Sequence, residues 1–242
     1  MSTQMSNNPR LRGLHITPWS EFLSADFQWE QGEHVTLVGT TGQGKTTLET
    51  ELVQLRNHCM FLGTKTDDDT QEELGPLGFR IARNVKDIST EVSPKWVINP
   101  GGLKKNEEVP EMKARQRPIY RQAIATAYHQ GSWCLIIDEG RYICDYLGLK
   151  DEVTLAYLQG RSHNLSVVMG TQRPRFVPLE SFDQATHLFF WKDNDLGNID
   201  RISELAGLRR VQVKHIVPRL EQHQFLYVNS RTDLMVVSKV EV

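Results

Sequence analysis

Gly39-Thr40-Thr41-Gly42-Gln43-Gly44-Lys45-Thr46 is the stretch that decides the fold. It satisfies the pattern G-x-x-x-x-G-K-[ST]. Its flanks match as well: the apolar run Val35-Thr36-Leu37-Val38 precedes it, and Leu48, Leu52 and Leu55 follow at helical spacing. A strand, a glycine turn and a helix N-terminus make an anion cradle, because backbone N–H groups point inward and the helix dipole adds positive potential. The expected phosphate-binding set runs from Gly39 through Thr40, Thr41, Gly42, Gln43, Gly44, Lys45 and Thr46 to Thr47. Lys45 would reach the β- and γ-phosphates, and the Thr46 hydroxyl would ligate Mg²⁺. Bound ATP or GTP with magnesium is the implied ligand.

Around this loop, apolar runs alternate with helical patterns, the signature of an α/β fold with a mainly parallel sheet. Strands are expected at 35–38, 60–62, 96–98, 134–137, 166–169 and 187–191. Helices are expected at 45–57, 111–130, 153–159 and 196–205. Pro118 falls inside the 111–130 pattern and implies either a kink or the true helix start. Thr66 to Gly78 is acidic and glycine-punctuated, as in a loop or short helix. A closing β-hairpin is expected from Gln224–Val228 and Leu234–Val237. Residues 1–12 read as a flexible polar tail and 13–242 as a single ATPase domain.

Bulk properties fit an ordinary globular chain of 242 residues, 39% hydrophobic and 24% charged, with net charge −2. That charge gives no global nucleic-acid signature, although basic residues gather at 104–105, 113–121, 173–175 and 209–219. The three cysteines lack metal spacing and read as reduced thiols of a cytoplasmic protein. No apolar stretch reaches the roughly 18 residues that span a bilayer. Tyr142, Tyr146 and Tyr157 read as packing residues, and the eight histidines form no metal pattern.

Trp133-Cys134-Leu135-Ile136-Ile137-Asp138-Glu139 is the second signal. Four apolar residues followed by two carboxylates place Asp138 and Glu139 at a strand's carboxyl end, where open α/β sheets bind ligands. Asp138 is expected to hold Mg²⁺ through its water shell, and Glu139 to polarise the attacking water as general base. The third signal is Ser166–Pro174, a strand leading to Gln172 beside the expected phosphates. Gln172 is a candidate γ-phosphate sensor, with a loop-capping role as the alternative. A guanine-reading Asn-Lys-x-Asp is absent, the signature lysine of partitioning ATPases is replaced by Thr40 and Thr41, and the glycines at 39, 42 and 44 do not fit a dinucleotide fold.

Taken together, Gly39–Thr46, Ile137-Asp138-Glu139, Gly160-Arg161 and Thr171-Gln172-Arg173-Pro174 resemble the FtsK–HerA superfamily of DNA-pumping ATPases over residues 30 to 205. The resemblance implies a RecA-like (ASCE) P-loop NTPase core, Mg-ATP hydrolysis, a homo-oligomer forming a hexameric ring, and double-stranded DNA as partner. It also implies an arginine acting on the neighbouring subunit's site, and Arg161 matches that position. The chain then reads as a bare motor domain, similar to small phage or mobile-element ATPases, with room for an accessory protein. The competing expectation is an ATP-gated assembly or scaffold protein with little DNA-coupled turnover.

Overall fold

The computed structural model describes residues 16–64, 72, 74–205 and 210–241. The expected tail at 1–12, most of the acidic stretch after Thr66, and Arg209 lie outside the described residues.

One nine-stranded sheet runs through the structure in the order β3-β4-β2-β5-β6-β1-β7-β8-β9. The strands are β1 His34–Val38, β2 Cys59–Leu62, β3 Phe79–Ala82, β4 Lys95–Ile98, β5 Cys134–Ile137, β6 Ser166–Thr171, β7 Ala185–Trp191, β8 Gln224–Asn229 and β9 Met235–Lys239. β3 to β7 pair in parallel around β1, and β8 and β9 close the sheet as an antiparallel hairpin. The central strands are buried along their whole length because both faces are covered.

Alternation of side chains along each strand divides the core in two. Met60, Leu62, Leu135, Ile137, Val167, Met169, Leu188 and Phe190 face the helices Val109–Gln130, Lys150–Gln159 and Arg210–Ile216. Cys59, Phe61, Cys134, Ile136, Val35, Leu37, Val168 and Phe189 face the helix Lys45–Gln54 and the segment Trp19–Phe27. On that second face Phe22, Phe27, Phe189, Phe225 and Tyr227 form a cluster of edge-to-face and tilted rings, with centroids 5.0–6.0 Å apart. All three cysteines are free and buried.

Several expectations change. The helix after the glycine loop ends at Gln54 rather than at 57. Arg56 leaves the helical path to lie 3.6 Å from the Trp29 ring centroid and to donate to Trp29 O at 3.0 Å. Pro118 neither starts the long helix nor stops it. The helix begins at Val109, with Pro110 in its first turn and Glu111 accepting from the Glu108 N–H at 2.9 Å. Pro118 sits on the exposed side, where water can take the freed Ala114 carbonyl. β3 and the helix Arg210–Ile216 were not expected from the sequence.

Candidate active site

The parallel strands give the sheet two chemically distinct edges. β1, β5 and β6 all end at the carboxyl edge, so the glycine loop, Asp138-Glu139 and Gln172 are delivered side by side. β6 lies between β1 and β5, with Val38 opposite Thr171 and Ile137 opposite Met169. This order inserts Gln172 between the loop and the carboxylates.

The loop itself is held at both ends. Gly39 N–H donates to Thr171 O at 3.1 Å, tying the end of β1 to β6. At the other end Gly44 caps the helix with φ 98°, a left-handed conformation that a side chain would oppose. Lys45 is buried, and its Nζ donates to Gly39 O at 2.7 Å and Thr40 O at 3.0 Å. The ammonium therefore folds back over the loop carbonyls.

Thr41, Gly42, Gly44, Lys45, Thr46, Thr47, Asp138, Glu139, Gln172 and His223 line a cleft of about 220 Å³. Six of the nine expected phosphate-loop residues thus face it. Gly39 and Thr40 instead supply the carbonyls that hold Lys45, and Gln43 buries Oε1 without a hydrogen-bond partner among the described residues. Asp138 is buried at the cleft floor. Gln172 Nε2 donates to Glu139 Oε2 at 3.2 Å, so these two expected residues touch.

The donor set fits magnesium in one form only. Among the described residues no group of three or more His, Cys, Asp or Glu gathers to hold a metal. The Thr46 hydroxyl and the Asp138 carboxylate face one cleft, which suits an ion that takes its remaining oxygens from water and from substrate phosphates.

Arg161 is not brought to this cleft. It is exposed in the turn Gly160–His163, immediately before β6 begins. That turn packs on the start of β1: Gln31 Nε2 donates to Asn164 O at 2.6 Å and Gly32 N–H to Ser166 Oγ at 2.9 Å. The length of β6, roughly 20 Å at about 3.3 Å per residue, separates Arg161 from the cleft of its own chain.

A second cleft of about 340 Å³ shares Glu139 and Gln172 with the first and is otherwise lined by Arg141, Tyr142, Asp145, Tyr146 and Arg173. Tyr142 and Tyr146 stack at 5.0 Å on a single π-helical turn, and Lys113 Nζ lies 3.6 Å from the Tyr146 ring centroid. Tyr142 OH donates to Gln116 Oε1 at 2.5 Å. Tyr157 is a core residue, as its pattern suggests. Many of the basic residues have partners within the chain: Arg115 with Glu107, Arg121 with Glu152, Lys214 with Asp200, Arg210 with Glu204, and Arg117 with Gly148 O.

His223 was not singled out from the sequence. It precedes β8 and reaches the glycine loop only because β7, β8 and β9 fold back beside β1. No local pattern around Glu221–Gln224 marks it.

No family model and no curated protein matches the chain. Solved structures do. The genome packaging NTPase B204 from Sulfolobus turreted icosahedral virus 2, in complex with AMPPCP, is 17% identical with a TM-score of 0.63, over 88% of this chain and 100% of that one. VirB4 of Thermoanaerobacter pseudethanolicus is 10% identical with a TM-score of 0.63, over 86% and 89%. The bacterial conjugative coupling protein TrwB is 11% identical with a TM-score of 0.59, over 87% and 85%. The chain has a RecA-like P-loop NTPase fold: a mostly parallel sheet flanked by helices, ending in an antiparallel hairpin. Among the described residues no helix is long and apolar enough to cross a membrane.

Proposed function

We propose that this chain is a motor ATPase of FtsK–HerA type, which hydrolyses Mg-ATP in a ring of identical subunits and drives double-stranded DNA. The observation that carries the ATPase assignment is the convergence of Lys45, Thr46, Asp138, Glu139 and Gln172 on one cleft at the sheet's carboxyl edge. The likeness to a packaging NTPase, to VirB4 and to a conjugative coupling protein supports the motor reading.

Lys45 exchanges its bonds to Gly39 O and Thr40 O for β- and γ-phosphate oxygens. The Thr46 hydroxyl and the Asp138 carboxylate would hold magnesium, which would supply positive charge against the phosphates. Gln172 fixes the Glu139 carboxylate at 3.2 Å and is placed to feel the γ-phosphate. Glu139 takes a proton from water as the water oxygen bonds to the γ-phosphorus and the bond to the bridging oxygen breaks. Arg161 reaches the cleft of a neighbouring copy and stabilises the charge that develops there.

Glu139→Gln keeps the shape and removes the base. Turnover is expected to fall by about 10²–10⁴ while ATP still binds; hydrolysis at the wild-type rate refutes the assignment. Mixing Glu139→Gln with Arg161→Ala subunits should restore part of the activity through hybrid sites, and no recovery counts against the trans role. Double-stranded DNA should raise the ATPase rate. Slow, DNA-indifferent hydrolysis accompanied by ATP-dependent assembly would instead identify a scaffold.

A further inference from the structure

His223 stands on the far flank of the nucleotide cleft from Glu139. The catalytic carboxylate and Gln172 come from β5 and β6 on one side of β1, and His223 comes from the β7–β8–β9 side. The glycine loop and Thr47 lie between them. A nucleotide whose γ-phosphate meets Glu139 and Gln172 must therefore run its ribose and base towards His223.

Two features show that the imidazole is held there. Its backbone adopts φ 65°, which a non-glycine residue seldom does without being fixed by its surroundings. The fixing contacts are visible: Val240 N–H donates to His223 O at 3.0 Å, and Glu221 N–H donates to Gln224 Oε1 at 2.9 Å across the turn. The second feature is chemical. His223 Nδ1 is buried and has no hydrogen-bond partner among the described residues. It lies 3.6 Å from where a Cβ on Gly44 would stand, against the loop itself. Nδ1 is thus turned to the loop, which leaves Nε2 as the ring nitrogen that can meet a molecule in the cleft.

We propose that His223 is a nucleotide-positioning residue that hydrogen-bonds the nucleoside half of the bound nucleotide through Nε2. This rests on the nucleotide cleft assigned above, and it names the group that holds the end of the substrate remote from the chemistry. A contact to the nucleoside half is common to ATP, ADP and AMP, and it does not change as the γ-phosphate leaves. It contributes to binding in ground and transition states alike.

The test is competition of ATP, ADP and AMP against a fluorescent ATP analogue, with steady-state hydrolysis beside it. His223→Ala is expected to weaken all three nucleotides by one common factor, about 5- to 15-fold, the loss of a single hydrogen bond. KM should rise by the same factor and kcat should stay within about twofold. His223→Gln carries a polar atom to the Nε2 position, so it should recover most of the affinity. His223→Phe preserves the ring without its nitrogens and should behave like the alanine variant, which guards against a merely unfolded His223→Ala. A loss confined to ATP would overturn the proposal by making His223 a γ-phosphate contact. Unchanged binding of all three would overturn it by making the residue a filler of space. If the wild-type protein bound none of the three, the nucleotide assignment itself would fall.

Discussion

Gly170→Ala tests how the fold holds Asp138, the residue proposed above to hold magnesium. Gly170 lies in β6, opposite Leu37 of β1, with β5 on its other side. A Cβ there would stand 2.5 Å from Asp138 O and 2.6 Å from Glu49 Oε1. Ordinary contact begins near 3.4 Å, so something must yield by about 1 Å in an interior packed at crystal density. Asp138 O belongs to the backbone and cannot rotate away, and β6 is hydrogen-bonded on both sides. Overpacking of this kind costs about 1–3 kcal/mol, and the rigid neighbour argues for the upper part. Replacing a strand glycine returns about 0.5–1 kcal/mol. The net is roughly 2 kcal/mol, a drop of about 1 M in urea midpoint for an m-value of roughly 2 kcal/mol/M. Because the displaced atom is part of Asp138, turnover should fall as well. Gly75→Ala is the control, since an added Cβ there meets nothing within 4 Å. A Gly170→Ala protein with the wild-type midpoint and turnover refutes the close approach and with it the coupling of β6 to Asp138.

Other outcomes follow from buried polar groups. His34 is buried in β1 with Nδ1 accepting the Val167 N–H at 3.1 Å, and burial lowers its pKa from 6.5 to about 4. An unfolded histidine binds a proton that the folded one refuses. The stabilisation is therefore complete above pH 6.5 and is lost as pH falls towards 4, about 2 kcal/mol of it between pH 7 and pH 5. Burial of His187 lowers its pKa too and adds in the same direction. Urea titrations at both pH values should show the loss, with a smaller one in His34→Asn; equal slopes would sink the assignment. Arg115 donates to Glu107 through two nitrogens at 2.8 Å and to Pro100 O, Gly101 O and Gly102 O. Lysine cannot reproduce that fork, so Arg115→Lys should cost about 1–3 kcal/mol and expose the 100–107 loop to limited proteolysis. A wild-type digestion pattern would show that the loop holds itself.

What the sequence disclosed depended on the range of the interaction responsible. Cys134–Ile137, and residues 166–169 of Ser166–Thr171, are legible because burial on both faces favours a run of apolar residues. β3 was hidden because it is an outer strand: Arg80 and Ile81 are exposed between buried Phe79 and Ala82, a pattern that matches no simple period. The extra turn assigned after Gln54 rested on Leu55, which is exposed, while the chain's direction there is set by a distant ring, Trp29. Within the cleft, Lys45, Thr46, Asp138 and Glu139 were legible from local spacing. Contact between Gln172 and Glu139 required the strand order, and His223 required the whole hairpin to fold back beside β1.

The placement of Arg161 at the amino edge, with the cleft at the carboxyl edge, gives each copy a head and a tail. If Arg161 completes a neighbour's site as proposed above, copies joined head to tail meet through a heterologous contact, which either runs on as an open row or closes into a ring. In an open row one terminal cleft always lacks its arginine, and the fraction of complete sites grows with length. Only closure removes the deficit. Activity per subunit should then climb with protein concentration and level off once rows close, a signature visible before any nucleic acid is added.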